Sequence, residues 1–110
     1  MAATILCIRA TPALAEATRL LLEQHAYEIV TATDFKQVEA ACTNIRFDLA
    51  LIGDNFDPRI KNAIYLLIKE KCTKVPILEM YKGNPAIDNA EHVNAASPDE
   101  LILAVRRMLA

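Results

Sequence analysis

The 110-residue chain contains only two glycines, Gly53 and Gly83, and no tryptophan. These glycines lie 30 positions apart, so the chain contains neither of the phosphate-binding loops GxGxxG and GxxxxGK[ST], which excludes the nucleotide-binding enzymes that use them. No stretch approaches the roughly 18 apolar residues that a membrane helix needs. The N-terminus also lacks the basic start and long apolar run of a signal peptide. We therefore expect a cytoplasmic protein with no membrane partner.

The chain has little net charge and few cysteines. Its formal charge of −2 argues against a nucleic-acid partner, because nucleic-acid-binding domains usually carry a basic excess. Cys7, Cys42 and Cys72 are far apart and form no CxxC pair. This odd, scattered set predicts reduced thiols rather than a disulfide framework, with Cys7 and Cys42 as inert core residues. His25 and His92 lack the spacing for a zinc site, so we expect neither a metal nor a cofactor.

Short apolar runs alternate with helical patterns along the whole chain, whose hydrophobic content of 54% suits one globular domain. The predicted strands are residues 3–8, 28–32, 49–52, 75–80 and 90–93. Capping signals mark the predicted helix starts at Thr11-Pro12, Asp34, Asp57-Pro58 and Ser97-Pro98. On the third helix, the predicted buried side consists of Ile60, Ala63, Ile64 and Leu67.

This alternation predicts an α/β protein with one parallel sheet and right-handed connections. A single three-layer, doubly wound domain spanning residues 1–110 is the fold class that we expect. The connection from residue 81 to residue 89 contains Gly83 and Pro85 and has room for a helical turn at most. A helix between the fourth and fifth strands is therefore expected to be short or absent.

The third strand ends at the sequence Gly53-Asp54. In open α/β sheets, ligands and chemistry collect at the carboxyl ends of the strands. A glycine thus occupies the position where a carboxylate would be most useful. Asp54 points to the opposite face of an extended strand, so it cannot replace an acid at position 53 unless the backbone bends.

The order, lengths and sequences of these segments resemble the CheY-like receiver domain of response regulators. The segments that carry the resemblance are residues 5–8 followed by Pro12, then 27–32, 47–52, 75–78 and 97–101. Together they cover essentially the whole chain. The resemblance implies the sheet order 2-1-3-4-5. It also implies a signalling role in a two-component pathway, with a protein as partner.

At the functional positions of a receiver domain, this chain has residues of other chemical types. The family uses an acidic pair after strand one, an acceptor aspartate ending strand three, a hydroxyl residue ending strand four and a lysine ending strand five. The corresponding residues are Arg9 and Ala10, Gly53, Tyr81, and Asn94. Phosphoryl transfer needs the metal and the cationic groups that neutralise the moving charge. These departures predict a phosphorylation-independent pseudo-receiver that is not an enzyme.

Three other interpretations of the same end of the sheet stay open. Asp54 becomes a displaced phosphoacceptor if Gly53 bends the strand. Arg9 and Lys82 bind a small anion or a nucleotide in the second interpretation. In the third, Asp54 forms a salt bridge with Arg9 or Lys82, which makes the site independent of metal.

Glu79 is a charged residue within an otherwise apolar predicted strand, where a charge is costly unless it is paired. One interpretation is a sheet face left uncovered by the missing helix. That face would contact a protein partner, or form a homodimer through the region of strands four and five. The alternative is that Glu79 points to solvent or pairs locally with a lysine.

Overall fold

The computed structural model describes residues 2–110, and within them it contains five strands and four helices. The strands are β1 (Thr4–Ile8), β2 (Glu28–Ala32), β3 (Leu49–Ile52), β4 (Ile77–Tyr81) and β5 (Glu91–Asn94). The helices are α1 (Pro12–Glu23), α2 (Phe35–Asn44), α3 (Pro58–Lys71) and α4 (Pro98–Leu109). The predicted elements are confirmed, with boundaries that shift by one or two residues.

All strand pairs are parallel, and the sheet order is β2-β1-β3-β4-β5. The predicted doubly wound topology is therefore confirmed. Ile8 is the register partner of Ile52, so the residues that follow β1 and β3 emerge side by side. Tyr81 is the partner of Asn94 at the corresponding ends of β4 and β5.

Successive strand residues point to opposite faces of the sheet, and helices cover each of the two faces. Leu6, Ile8 and Ile52 pack with α2 and α3, whereas Cys7 and Leu51 pack with α1 and α4. The central strand β3 is buried along its full length, as expected for a parallel strand between two helical layers. No helix within residues 2–110 is long and apolar enough to cross a membrane.

The predicted helix caps are formed by the expected side chains. In each case a side-chain oxygen accepts a hydrogen bond from a backbone N–H in the first helical turn, which would otherwise lack a partner. The four capping residues are Thr11, Asp34, Asp57 and Ser97.

The predicted buried side of α3 is wrong at Ile60 and Ala63, which are exposed, whereas Ile64 is buried and Leu67 is partly buried. Ile60 is 42% exposed, while the fully buried positions are Lys61, Ile64 and Ile68. Their spacing of three and four residues is that of a buried helical stripe, but its first member is a lysine. The reason is a buried partner for Lys61 on β4, described below.

The expected absence of a helix between β4 and β5 is confirmed, since residues 82–90 contain no helical segment. Ile87 in this connection is only 1% exposed and packs in the same apolar cluster as α2 and α3. A loop therefore covers the part of the sheet where an additional helix would otherwise lie.

The prediction of three reduced cysteines is wrong for two of them. Cys42 and Cys72 form a disulfide that joins the last turn of α2 to the C-cap of α3. The two helices lie side by side, which brings the Cα atoms to 5.0 Å despite a sequence separation of 30. Cys7 is free and buried, and its burial raises the pKa of the thiol to about 12.

Loss of the disulfide should lower the stability of the domain. For a closed loop of this length, the chain-entropy model gives about 3–4 kcal/mol. We expect a reductant, or the double substitution Cys42→Ser with Cys72→Ser, to lower the urea midpoint by a corresponding amount. The double variant is the control, because a reductant should leave its midpoint unchanged. Equal wild-type midpoints with and without reductant would contradict the cross-link.

Candidate functional site

The carboxyl ends of β1, β3 and β4 form a surface cavity of about 460 Å³. Arg9, Asp54, Met80 and Lys82 are among its lining residues. Three of the predicted site residues, Arg9, Asp54 and Lys82, are therefore brought together by the parallel sheet. Their three charged groups determine the electrostatics of this end of the molecule.

Arg9 is the central residue of the cavity and is only 7% exposed. Its Nη2 donates to Asp54 Oδ1 at 3.0 Å, and its Nη1 donates to Thr18 Oγ1 at 2.9 Å. Nη1 also lies 3.7 Å from Met80 Sδ. The planar guanidinium is thus held from α1, from the loop after β3 and from β4, so it is a fixed part of the structure.

The salt-bridge interpretation of Asp54 is the one that the structure shows. The Asp54 side chain is 9% exposed, and its second oxygen, Oδ2, lies 3.9 Å from Nζ of the exposed Lys82. The two cations considered as ligands for an external anion therefore converge on a carboxylate of the protein itself. Asp54 supplies an internal anion at this position.

Thr18 is a site residue that the sequence did not indicate. Its hydroxyl donates to the carbonyl of Leu14 at 3.0 Å and accepts from Arg9, and the side chain is buried beneath the sheet end. A threonine that bonds the carbonyl four residues earlier is common within helices. Nothing in that local pattern distinguishes a threonine that also binds a buried arginine.

Gly53 is required by the path of the Arg9 side chain. A Cβ atom at position 53 would lie 2.4 Å from Arg9 Nε and 2.6 Å from Arg9 Cδ. It would also lie 3.1 Å from the carbonyl oxygen of Ile8, which accepts the Gly53 N–H at 2.8 Å. Arg9 Nε is buried and lacks a hydrogen-bond partner among the described residues. Arg9 and Gly53 are therefore sterically matched, and any larger residue at position 53 requires Arg9 to move.

The residues present do not fit a magnesium ion. Magnesium prefers near-octahedral oxygen coordination through one or two carboxylates. Here a guanidinium cation lies between the ends of β1 and β3, and both oxygens of Asp54 face cationic groups. Within residues 2–110 there is no cluster of three or more His, Cys, Asp or Glu side chains arranged for metal binding. Ala10, next to Arg9, offers no ligand atom in its side chain.

Tyr81 and Asn94 are not brought to the Arg9–Asp54 pair. The Tyr81 ring packs edge-on against His92, with centroids 6.3 Å apart. Asn94 Oδ1 accepts the backbone N–H of Ala96 at 2.8 Å, which stabilises the turn before α4. Both residues have local structural contacts, and neither lines the cavity.

Glu79 is fully buried, and its carboxylate organises the connection between β4 and β5. Oε2 accepts from Lys61 Nζ and from the Ala86 N–H, each at 2.8 Å, while Oε1 accepts the Ile87 N–H at 2.9 Å. His92 Nε2 lies 3.4 Å from Oε1. The interpretation of a local pairing with a lysine is confirmed, and the lysine is the unexpected buried residue of α3.

The protonation of Glu79 reflects a competition between burial and these donors. Burial alone raises the pKa of the carboxyl group. The hydrogen bond from Lys61, the two backbone N–H donors and the charge of Lys61 outweigh that effect and hold the Glu79 pKa below its ordinary value. The group is therefore a carboxylate at neutral pH.

The homodimer hypothesis rested on an uncovered sheet face next to Glu79. The connection containing Ile87 covers that face, and the Glu79 carboxylate has partners for both oxygens. The structural reason for a dimer there is therefore removed. A single chain does not test the formation of a homodimer, so the homodimer stays a prediction.

The steric match of Arg9 and Gly53 predicts a non-additive pair of substitutions. Gly53→Ala should destabilise the domain by about 1–3 kcal/mol, the usual cost of overpacking. In an Arg9→Ala background the cost should fall by at least half, because only the contact with the Ile8 carbonyl remains. A double-mutant cycle from urea unfolding measures the coupling, and additive effects would contradict the match.

The Glu79 network predicts a specific pH dependence of stability. Because the folded pKa lies below the ordinary value of 4.5, the stabilisation is fully present above pH 4.5 and is lost as the pH falls through the folded pKa. Glu79→Gln should cost about 3–5 kcal/mol at neutral pH, since it leaves buried Lys61 without an anion. The difference between wild type and variant should shrink at acid pH. Urea unfolding at both pH values tests this, and a constant difference would contradict it.

Comparison with solved structures identifies the fold. The chain superposes on the chemotaxis protein CheY4 of Vibrio cholerae with a TM-score of 0.77 and 19% identity, covering 99% of this chain and 100% of that one. A response regulator from Thermotoga maritima gives 0.81 and 12%, covering 99% and 98%. The receiver domain of a sensor histidine kinase from Pseudomonas aeruginosa, solved with magnesium in its active-site cleft, gives 0.75 and 16%, covering 99% and 98%.

No protein-family model matches the sequence, and no curated protein matches it either. At identities below 20%, the structural likeness establishes the fold and leaves the activity to be argued from the site. The protein has the CheY-like fold of response-regulator receiver domains.

Proposed function

We propose that this protein is a receiver-like signalling module that acts through protein contact in a two-component-type pathway and does not depend on phosphorylation. The observation that carries the proposal is the buried Arg9–Asp54 ion pair packed over Gly53. It replaces both the acid at the end of β3 and the metal-binding acids after β1 with one internal salt bridge. The proposal includes the cytoplasmic location expected from the sequence.

The same pair argues against Asp54 as a phosphoacceptor. A carboxylate oxygen must be free to attack phosphorus, with a metal or cations placed on the phosphoryl oxygens. Oδ1 of Asp54 instead accepts from Arg9 at 3.0 Å, and the side chain is 9% exposed. Oδ2 lacks such a bond, but it belongs to a nearly buried side chain beside two cations and no metal ligands. Attack by Oδ1 requires the buried ion pair to break first. That step leaves a buried guanidinium without its anion and costs several kcal/mol.

Contact with a protein is the remaining way in which this fold transmits a signal. The scaffold is complete, with two apolar clusters and all four helix caps in place. Large apolar side chains such as Leu66 and Leu103 are more than half exposed. An ion pair that is fixed without ligand keeps the end of the sheet in one state. The module is then a constitutive binding surface whose activity is set by its concentration or by other signals.

The phosphorylation test uses acetyl phosphate and magnesium, with intact mass spectrometry as the readout. The wild-type protein should gain no phosphoryl group, whereas an ordinary receiver domain treated in parallel should gain one. An added phosphoryl group that maps to Asp54, and that disappears in Asp54→Asn, would overturn the proposal in favour of an active receiver. Circular dichroism shows whether Asp54→Asn is folded.

Partner binding provides a second test of the same proposal. Immobilised wild-type protein should capture the same proteins from its source cells with and without acetyl phosphate and magnesium. Asp54→Asn, if folded, should capture that same set. A partner that binds only after phosphorylating treatment, and only to the wild type, would contradict phosphorylation independence.

A further inference from the structure

The Cys42–Cys72 disulfide lies at the opposite end of the sheet from Arg9 and Asp54. Both cysteines line a surface cavity of about 820 Å³, which also contains the residues that precede β3 and β4. Cys42 is partly exposed, whereas Cys72 is only 6% exposed. Of the two bridged residues, Cys42 is therefore the one that a molecule entering this cavity meets first.

The rim of this cavity is cationic although the whole protein has a charge of −2. Its charged lining residues are Arg46, Lys71, Lys74 and Asp48. The one carboxylate, Asp48, already accepts the Thr4 N–H at 2.9 Å, and Lys71 Nζ lies 3.8 Å from the neighbouring Glu70. The cavity therefore has an excess of positive charge toward an entering molecule.

These cations are placed where they act on both participants in thiol–disulfide exchange. The attacking species is a thiolate, and the displaced sulfur leaves as a thiolate. Cys72 is the C-cap of α3, where the helix dipole is unfavourable for negative charge. Lys71 and Lys74 flank Cys72 in sequence and offset this effect. A thiol that carries a carboxylate gains an additional attraction to the same rim.

We propose that Cys42–Cys72 is a reversible redox site that exchanges with small anionic thiols. An incoming thiolate attacks Sγ of the more exposed Cys42, the Cys42–Cys72 bond breaks, and Cys72 leaves as a thiolate. A second thiolate attacks the mixed disulfide at its non-protein sulfur and releases Cys42. The protein gains two electrons, and two small thiols become one disulfide. This assignment does not depend on the proposed signalling function.

Such a site agrees with a reducing compartment, where cysteine pairs are usually transient or redox-sensing rather than structural. Reduction removes the covalent link between the ends of α2 and α3 and leaves the Arg9–Asp54 pair untouched. The oxidised and reduced proteins therefore differ in the stability of the layer formed by α2 and α3, and this stability is what the redox site controls.

The kinetic test follows reduction of the folded protein by thiols of different charge at equal thiolate concentration. The thiols are 3-mercaptopropionate, 2-mercaptoethanol and cysteamine, and alkylation followed by mass spectrometry measures the reduced fraction. For each thiol, the rate should rise linearly with thiol concentration. Divided by the rate of the same thiol with a small uncharged disulfide, which removes differences in intrinsic thiolate reactivity, it should follow the order anionic, neutral, cationic. We expect about a threefold to tenfold span at low ionic strength, reduced by added salt.

Two kinetic outcomes would overturn the proposal. A rate that is independent of thiol concentration means that reduction waits for unfolding, so the disulfide is a structural cross-link only. If the normalised rates are the same for the anionic, neutral and cationic thiols, the cationic rim has no role. If Cys42 and Cys72 stay free thiols after treatment of the folded protein with the disulfide of 3-mercaptopropionate, the site is removed altogether.

Variants assign the roles of the residues. Lys71→Gln with Lys74→Gln should narrow the span between anionic and cationic thiols to less than twofold, by loss of the rim charge. Arg106→Gln on the opposite helical layer is the matched control and should leave the span unchanged. When treated with the disulfide of 2-mercaptoethanol, Cys72→Ser should form a mixed disulfide at Cys42 and release one 2-mercaptoethanol faster than Cys42→Ser does at Cys72. The reverse order of these two rates would contradict the assignment of Cys42 as the attacked sulfur.

Discussion

The arrangement around β4 depends on the hydrogen bonds and the ion pair that the buried Glu79 carboxylate forms. The carboxylate binds Lys61 of α3 and the backbone N–H groups of Ala86 and Ile87. These bonds determine which side of α3 faces the sheet and hold a loop, in place of a helix, over the apolar surface. A neutral apolar residue at position 79 would leave Lys61 without its anion, with only the Met80 carbonyl as a hydrogen-bond partner, and would leave both loop N–H groups unpaired. Both losses are costly in a buried environment.

Arg9 has a corresponding role at the end of the sheet. It combines an ion pair with Asp54, a hydrogen bond to Thr18 and close packing on Gly53. The same cation therefore satisfies a buried acid and fills the space that a longer side chain at position 53 would need. The two buried arrangements are alike: in each, a single charged side chain joins elements that are distant in sequence.

Local signals were sufficient for the elements and for a parallel sheet, because strand alternation, helix caps and the short connection after β4 are all visible in the sequence. The strand order was implied by the resemblance to receiver domains. The sequence also predicted that Arg9, Asp54 and Lys82 lie at the same end of the sheet, since parallel strands place their carboxyl ends together. The predictions that were wrong concern residues whose partners are distant in sequence. Lys61 reads as a solvent-facing residue until its partner on β4 is known. Cys42 and Cys72 read as separate thiols until the packing of α2 on α3 brings them together.

The steric match of Arg9 and Gly53 also restricts how this sequence can change. Introducing a side chain at position 53 while Arg9 is present creates a clash at 2.4 Å, and removing Arg9 first leaves the buried Asp54 without its main partner. Each single step lowers stability, whereas the two changes together are less costly than their sum. Proteins have only a narrow margin of stability to lose. A path from this sequence to one with an acid at position 53 therefore passes through a less stable intermediate, and the two positions are expected to change together.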